Sequence, residues 1–288
     1  MAQNIDPNNW TLLKMVKWGT DYFQNKGIDS PRLTIELLLC KLLNIQRIEI
    51  YTNFEKPLIP EELSELKSMI KRRVKREPLQ YILGSVNFCG LDIVVNENVL
   101  IPRPETEFLV ETIKLHYKKD VALEVLEIGT GSGCIAIALA KHFENIKVLA
   151  VDVSENALTI AKINAEKAGV ENIIFNRINI LSDVIKSKFD LVVSNPPYIS
   201  KDDHSQLTPE ITNYEPISAL TDGGDGLGFY KKYADIYSDI IIPNGRMYLE
   251  IGYGQKKEIS EIFMNKDLNV DFLNDSMSIP RIAIVKGI

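Results

Sequence analysis

The feature of this sequence that most constrains its fold is a glycine-rich turn between an apolar strand and an apolar helix. Residues 122–128 have the pattern of a buried strand, Gly129-Thr130-Gly131-Ser132-Gly133 follows, and residues 134–140 form a run typical of a buried helix. Glycine allows a sharp turn and a close approach of the backbone to a ligand. At the carboxyl end of a strand in an α/β sheet, this turn predicts a site for a nucleoside-type ligand.

Strands and helices alternate from residue 121 onward, which predicts an α/β protein with a parallel sheet and crossover helices. Roughly seven strands are expected, at residues 122–128, 147–151, 173–178, 191–194, 246–251, 270–273 and 282–285. Helices are expected at residues 134–143, 155–168, 228–241 and 256–265.

The first part of the chain has a different pattern. Apolar residues at helical spacing and a charged helix at residues 61–76 predict a small helical domain over residues 1–80. Residues 81–98 alternate around Cys89-Gly90 and predict a hairpin linker, which leaves residues 99–288 for a catalytic domain.

Composition excludes several classes of protein. The 288 residues are 45% hydrophobic and 25% charged, which is ordinary for a globular protein and unlike a disordered or repeat protein. The first ten residues lack the pattern of a secretory signal and no apolar run approaches the length of a membrane span, so we expect a cytoplasmic protein without membrane contact. The three cysteines and three histidines are isolated, which argues against disulfides and against a metal site.

The spacing of the glycine turn favours S-adenosylmethionine over a dinucleotide. The dinucleotide fingerprint needs a third glycine where Cys134 stands, whereas G-x-G-x-G is typical of class I S-adenosylmethionine enzymes. Asp152 ends the second predicted strand 21 residues after Gly131, where a carboxylate can accept both ribose hydroxyls. Its alternative role is to cap the next helix with Ser154, and we expect ribose binding with a capping contribution from Ser154.

The end of the third predicted strand supplies a weaker signal. Asn179 stands where such sheets place a polar side chain against the adenine edge, and Ile180 beside it offers apolar cover. We therefore expect both residues to contact the cofactor.

A proline-rich corner follows the fourth predicted strand, at Ser194-Asn195-Pro196-Pro197-Tyr198. Two consecutive prolines remove two N–H donors, so the corner offers the Asn195 side-chain oxygen and backbone carbonyls as acceptors, with Tyr198 as a flat wall. This pattern predicts a slot for an NH₂ group on a planar system. Two acceptors can orient the nitrogen lone pair toward a methyl sulfonium without a strong base, whereas a simple turn is the alternative interpretation.

At these residues the chain resembles the protein-(glutamine-N5) methyltransferases that modify peptide chain release factors, the HemK/PrmC family. Besides the glycine turn and the corner, the resemblance covers three segments: Arg76 to Gly84, Leu100 to Glu107, and Tyr214-Glu215-Pro216 leading to Asp225-Gly226-Leu227. It implies a class I S-adenosylmethionine-dependent methyltransferase, Rossmann-like, with a small N-terminal helical domain that contacts the release factor. The implied reaction is methyl transfer to the side-chain amide nitrogen of the glutamine in a Gly-Gly-Gln motif.

The resemblance also implies roles for individual residues. Cofactor contacts would come from the turn, the end of the second strand and the corner: Glu127, Gly129, Thr130, Gly131, Ser132, Gly133, Asp152, Asn179, Ile180 and Asn195. Asn195 and the Pro196 carbonyl would hold the glutamine amide, with Pro197 and Tyr198 completing the slot. Arg103 and Glu105 match the family's loop before the first strand, and their alternative role is to start a helix. Family members usually carry an acid at position 179 and often an aromatic residue at position 180, which this chain does not.

Other functions stay open at this stage. An N6-adenine nucleic-acid methyltransferase would use the same corner on an extruded base. Against it, residues 86–288 carry 20 Lys and Arg against 29 Asp and Glu, and the basic run at residues 71–76 is the one candidate contact with a nucleic acid. A non-catalytic binding protein and a nicotinamide oxidoreductase fit less well. We expect a monomer that forms no stable complex with nucleic acid.

Overall fold

The computed structural model describes residues 10–287. Its contacts divide the chain into two compact units: residues up to Gly84 together with Pro209–Tyr214, and Ser85–Thr208 together with the residues from Glu215 onward. Within residues 10–287, no helix combines the length and the apolar character needed to cross a membrane. The interpretation that the N-terminus lacks a secretory signal concerns mainly residues 1–9, which lie outside the described residues.

The first unit is helical, as predicted. Its helices in the N-terminal part are α1 (Leu12–Asn25), α2 (Pro31–Leu43), α3 (Arg47–Thr52), α4 (Pro60–Val74) and α5 (Leu79–Leu83). Helices α1 and α2 pack closely because Gly19 has no side chain: a Cβ there would lie 2.4 Å from Cγ1 of Ile35. The predicted domain boundary at residue 80 falls inside α5, whereas the compact unit extends to Gly84.

A buried carboxylate joins helices α2 and α3 of the first unit. Glu36 of α2 is fully buried and accepts hydrogen bonds from Nε of Arg32 at 2.9 Å, from Nε of Arg47 at 2.6 Å and from the hydroxyl of Tyr51. The arginines lie at the surface, so the ion pairs connect a buried charge to solvated ones.

The basic run is largely occupied within the same unit. Arg73 and Arg76 donate to the carboxylate of Glu210 at 3.1 and 3.3 Å, and Arg72 pairs with Glu77. Three of the five basic side chains at residues 71–76 therefore hold acidic partners within this unit.

The second unit contains a hairpin and a seven-stranded sheet. The hairpin is β1 (Ser85–Phe88) and β2 (Leu91–Val94), and the sheet strands are β3 (Ala122–Ile128), β4 (Asn145–Asp152), β5 (Ile173–Arg177), β6 (Phe189–Ser194), β7 (Ile241–Glu250), β8 (Leu268–Asn274) and β9 (Pro280–Gly287). The further helices, in chain order, are α6 (Pro104–His116), α7 (Cys134–His142), α8 (Glu155–Ala168), α9 (Lys201–His204), α10 (Pro209–Thr212, in the first unit), α11 (Gly228–Ile240) and α12 (Lys256–Met264).

The strand order is β5-β4-β3-β6-β7-β9-β8, and the first five of these strands run parallel. The expectation of a parallel sheet is wrong for one strand, because β9 is antiparallel to both of its neighbours, β7 and β8. The connection from β8 to β9 is a five-residue turn at 275–279, and a turn this short joins only antiparallel neighbours.

The hairpin is not a separate linker but belongs to the second unit. Asn164 of α8 accepts from the Val94 amide at 2.8 Å and donates to the Val94 carbonyl at 3.0 Å, as a neighbouring strand would. Helix α6 begins at Pro104 with Glu105 and Glu107 in its first turn, which matches the helix-start alternative for this segment.

Candidate active site

A cavity opens at the carboxyl edge of the parallel strands. The loops after β3, β4, β5 and β6 form it, and residues 98–100, residues 216, 218 and 219, and helix α11 complete its wall. Together with its open mouth, it encloses about 830 Å³. The predicted position of the site at this edge is therefore the position of a real cavity.

The glycine turn forms one wall of the cavity. The amides of Gly129 and Thr130 both donate to the carbonyl of Val151, which ties the turn to β4. Gly129 and Gly131 have positive φ values and line the cavity, and a Cβ at either position would stand in open space. Gly133 serves a different purpose, because its missing Cβ would lie 3.1 Å from Ala161 of α8.

Asp152 lies at the end of β4 and lines the cavity. Its carboxylate accepts from the amide of Gly131 at 2.9 Å and from the amide of Ser154 at 2.9 Å. Burial raises the pKa of Asp152, although these amides oppose the shift. Ser154 caps α8 by accepting from the amide of Ala157 at 3.2 Å, as the sequence predicts.

Asn179 and Ile180 also line the cavity. The side-chain oxygen of Asn179 accepts from the Leu181 amide at 3.1 Å, so part of its hydrogen-bonding capacity stabilises its own loop. Ile180 is buried in the core cluster of the second unit and offers the cavity an apolar surface.

Glu127 lies behind the turn and does not line the cavity. One carboxylate oxygen accepts from the Thr130 hydroxyl at 2.6 Å and from the Ala136 amide at 3.2 Å. The other, Oε1, is buried and has no hydrogen-bond partner among the described residues. Burial raises the pKa of Glu127 to about 8. Thr130 and Ser132 are likewise buried behind the cavity surface.

The corner after β6 is held by a chain of side-chain hydrogen bonds that the sequence analysis missed. Nδ2 of Asn195 donates to Oγ1 of Thr106 at 3.0 Å, and this hydroxyl donates to Oε2 of Glu250 at 2.7 Å. The hydroxyl of Tyr198 donates to the other oxygen of Glu250 at 3.2 Å. Asn195, Pro196 and Pro197 line the cavity, whereas Tyr198 lies behind them on this chain of bonds.

The segment Asp225-Gly226-Leu227 supports the same corner from the other side. Nε2 of Gln255 donates to the Tyr198 carbonyl at 2.9 Å, and Gly226 packs directly against that carbonyl. A Cβ at position 226 would lie 2.2 Å from the carbonyl oxygen of Tyr198. A glycine is therefore required where this loop meets the corner.

Arg103 and Glu105 do not line the cavity. Arg103 donates to Glu215 at 2.5 Å, and Glu215 also accepts from the Ile101 amide at 3.4 Å. This buried carboxylate ties the segment before α6 to the segment at Pro216, and both segments border the cavity. The substrate-binding roles assigned to Arg103 and Glu105 remain predictions.

The lining fits S-adenosylmethionine. Side chains at Gly129 and Gly131 would occupy the cavity, Asp152 offers an acidic acceptor, and Ile180 and Phe229 supply apolar surface. Six of the ten predicted cofactor residues line the cavity: Gly129, Gly131, Asp152, Asn179, Ile180 and Asn195. The other four, Glu127, Thr130, Ser132 and Gly133, lie behind it, and all ten roles stay predictions.

Several residues at the site cannot be predicted from local sequence, because their positions depend on distant elements. Thr106 and Glu250 reach the corner from α6 and from the end of β7. Tyr233 of α11 lines the cavity and shares a 2.9 Å hydrogen bond with the buried Ser194 hydroxyl. The available signal was a carboxylate at the end of an apolar strand, since Glu250 follows residues 247–249 directly.

Two segments of the chain match known families of protein domains. Residues 14–84 match the PrmC N-terminal domain, and residues 104–226 match the methyltransferase small domain. A solved methyltransferase structure from Pyrococcus furiosus superposes with a TM-score of 0.52 at 23% identity, over 69% of this chain and 90% of that chain, which shows the shared class I methyltransferase fold.

Two curated proteins named release factor glutamine methyltransferase match nearly the whole chain. The protein of Geobacter sulfurreducens is 43% identical over 257 residues, which are 89% of each chain. That of Bacillus subtilis is 36% identical over 273 residues, which are 92% of this chain and 94% of the relative. Because the identity extends through both compact units, this chain belongs to the release factor glutamine methyltransferase family.

Proposed function

We propose that this protein transfers a methyl group from S-adenosylmethionine to the side-chain amide nitrogen of the glutamine in the Gly-Gly-Gln motif of peptide chain release factors. The observation that carries the proposal is the orientation of the Asn195 side-chain amide at the cavity. Its Nδ2 donates to Thr106, so its Oδ1 is the atom left to accept from an NH₂ group. The names of the Geobacter sulfurreducens and Bacillus subtilis relatives support glutamine as the group that carries this NH₂.

The corner suits a weak nitrogen nucleophile. The lone pair of an amide nitrogen is delocalised, so the nitrogen must be oriented before it reacts. Oδ1 of Asn195 and the carbonyl of Pro196 would each accept one amide hydrogen, which aims the lone pair and stabilises positive charge as it develops on nitrogen. Prolines at 196 and 197 add no competing N–H donor. The proton lost from nitrogen after transfer would leave to solvent.

The cofactor would be held by the cavity residues already described. Asp152 would accept the ribose hydroxyls, Asn179 and Ile180 would contact the adenine, and Gly129 and Gly131 would allow the backbone to approach the amino acid portion. When bound, S-adenosylmethionine supplies the methyl group from its sulfonium and leaves as S-adenosylhomocysteine.

The proposal extends to partners and location. The first unit would contact the release factor, and no stable complex with nucleic acid is expected because Arg72, Arg73 and Arg76 already hold acidic side chains. We further propose that the protein acts in the cytoplasm, as a monomer and without membrane contact.

The test is transfer of labelled methyl from S-adenosylmethionine to four substrates in parallel. These are a purified release factor, its Gln→Ala variant in the Gly-Gly-Gln loop, duplex DNA and single-stranded DNA. Label on the wild-type factor alone supports the proposal. Label on DNA alone would replace it with the N6-adenine reaction, and label on no substrate would favour a non-catalytic binding protein.

A further inference from the structure

Three groups connect Asn195 to the protein interior in a fixed order. Asn195 donates to Thr106, Thr106 donates to Glu250, and Tyr198 donates to the second oxygen of Glu250. Thr106 is 2% exposed and Glu250 is 1% exposed, so water does not compete for these bonds. These hydrogen bonds therefore link a cavity-lining side chain to a buried carboxylate that the proposed chemistry does not use.

The order of donors and acceptors in this series of hydrogen bonds determines which way the Asn195 amide faces. An ionised carboxylate can only accept, so the Thr106 hydroxyl must donate to Glu250. The hydroxyl then presents a lone pair to Asn195, and only the NH₂ end of that amide can donate to it. The amide oxygen is thereby turned away from Thr106. A carboxamide without such a partner can exchange its two ends at little cost.

We propose that Thr106 and Glu250 are positioning residues, which act through each other to hold the Asn195 amide with its oxygen available to the substrate. This inference rests on the proposed function for its consequence in catalysis, but the orientation itself is a property of the free protein. Protonated Glu250 could donate to Thr106, and Thr106 could then donate to the Asn195 oxygen. That reversal would present the wrong end of the amide to the substrate.

The reversal is expected to occur near neutral pH. Burial raises the pKa of Glu250 to about 7, although hydrogen bonds from Thr106 and Tyr198 oppose the shift. The charged or titratable groups that face Glu250 from the surrounding elements are Glu105 of α6, Tyr198 after β6, Tyr230 of α11 and Arg281 of β9. Glu105 raises the pKa and Arg281 lowers it, and burial has the largest effect.

The first test compares variants at position 106. Thr106→Val keeps the shape of the side chain and removes the hydroxyl, and kcat for methyl transfer should fall about 10- to 100-fold because the amide loses its orientation. The dissociation constant of S-adenosylmethionine should change less than about twofold, since Thr106 does not line the cavity. Thr106→Ser should restore activity to within about threefold. Thr112→Val, which removes a buried hydroxyl from the same helix, is the control and should behave as wild type.

The second test uses pH. The kcat of the wild-type protein should fall as the pH is lowered through about 7, and Glu250→Gln should have a low kcat without this acid limb. The proposal is overturned if Thr106→Val keeps the wild-type kcat, or if Glu250→Gln keeps the acid limb.

A third measurement needs no substrate. The side-chain NH₂ resonance of Asn195, assigned by its loss in Asn195→Asp, should titrate with a midpoint near pH 7 in the wild type and not in Glu250→Gln. A titration that is absent from the wild type, or unchanged in Glu250→Gln, would overturn the positioning role. A protein that shows the titration but methylates no release factor would instead refute the proposed function alone.

Discussion

Replacement of Gly226 by alanine should displace the backbone of the proline-rich corner at residues 194–198. A Cβ at this position would lie 2.2 Å from the carbonyl oxygen of Tyr198 and 2.9 Å from its carbonyl carbon. Normal carbon–oxygen contact would require a movement of about 1 Å. The carbonyl is fixed by a 2.9 Å hydrogen bond from Gln255, so the movement breaks or strains a second contact.

The expected magnitude has two parts, which a matched variant separates. Gly226 has φ +77°, and an alanine held in the left-handed region costs about 1–2 kcal/mol. The collision with Tyr198 adds about 1–3 kcal/mol of overpacking. Gly223 lies in the same loop at φ +79° with nothing within 4 Å of its Cβ position, so Gly223→Ala has the backbone cost alone.

Two assays measure the comparison. Thermal or denaturant unfolding gives the free-energy difference between the variants, and methyl transfer gives kcat. Gly226→Ala should be less stable than Gly223→Ala by about 1–3 kcal/mol and should lose at least about tenfold in kcat, whereas Gly223→Ala should keep the wild-type kcat. Equal stability and equal kcat in the two variants would refute the argument that Gly226 is required for its contact with Tyr198.

Three further predictions concern other sites. Asn195→Ala should lower kcat by at least about 100-fold, whereas calorimetry should show that binding of S-adenosylmethionine is largely retained, because the contact of Asn195 with the substrate matters chiefly in the transition state; full turnover would contradict the proposed reaction. Asp152→Ala should weaken S-adenosylmethionine binding by about tenfold or more, and an unchanged dissociation constant would leave Asp152 a structural role only. Glu36→Ala should reduce the free energy of unfolding of the first unit by about 1.5–3 kcal/mol. Unfolding of this unit can be followed by fluorescence, because both tryptophans, Trp10 and Trp18, lie in it. Although burial opposes it, hydrogen bonds from Tyr51 and the arginines lower the pKa of Glu36 below 4.5. The difference in stability between the wild type and Glu36→Ala should therefore be present above pH 4.5 and disappear as the pH falls through the lowered pKa of Glu36. A difference that persists at low pH would show that the charge of Glu36 is not what stabilises the unit.

Local patterns were sufficient to predict most elements of the second unit. Helix α8 begins and ends at the predicted residues, because Ser154 caps one end and Gly169 takes the left-handed conformation at the other. The turn at Gly129 to Gly133 was predictable for the same reason, since it depends on residues adjacent in sequence. The antiparallel β9 was not, because its direction follows from a short turn and from a place between β7 and β8 that alternation alone does not encode.

The proline-rich corner shows most clearly the difference between properties set by neighbouring residues and properties set by folding. Neighbouring residues alone are enough to predict that Asn195 follows a buried strand and that two prolines remove competing donors. Which end of the Asn195 amide faces the cavity depends instead on the folded arrangement of distant segments. That choice depends on Thr106 and Glu250, which lie 89 residues before and 55 residues after it in the chain and meet it only when α6 and β7 pack against the corner. Hydrogen-bond direction in a buried chain is set by the group at its far end, and the far end here is a carboxylate that folding places beside the corner.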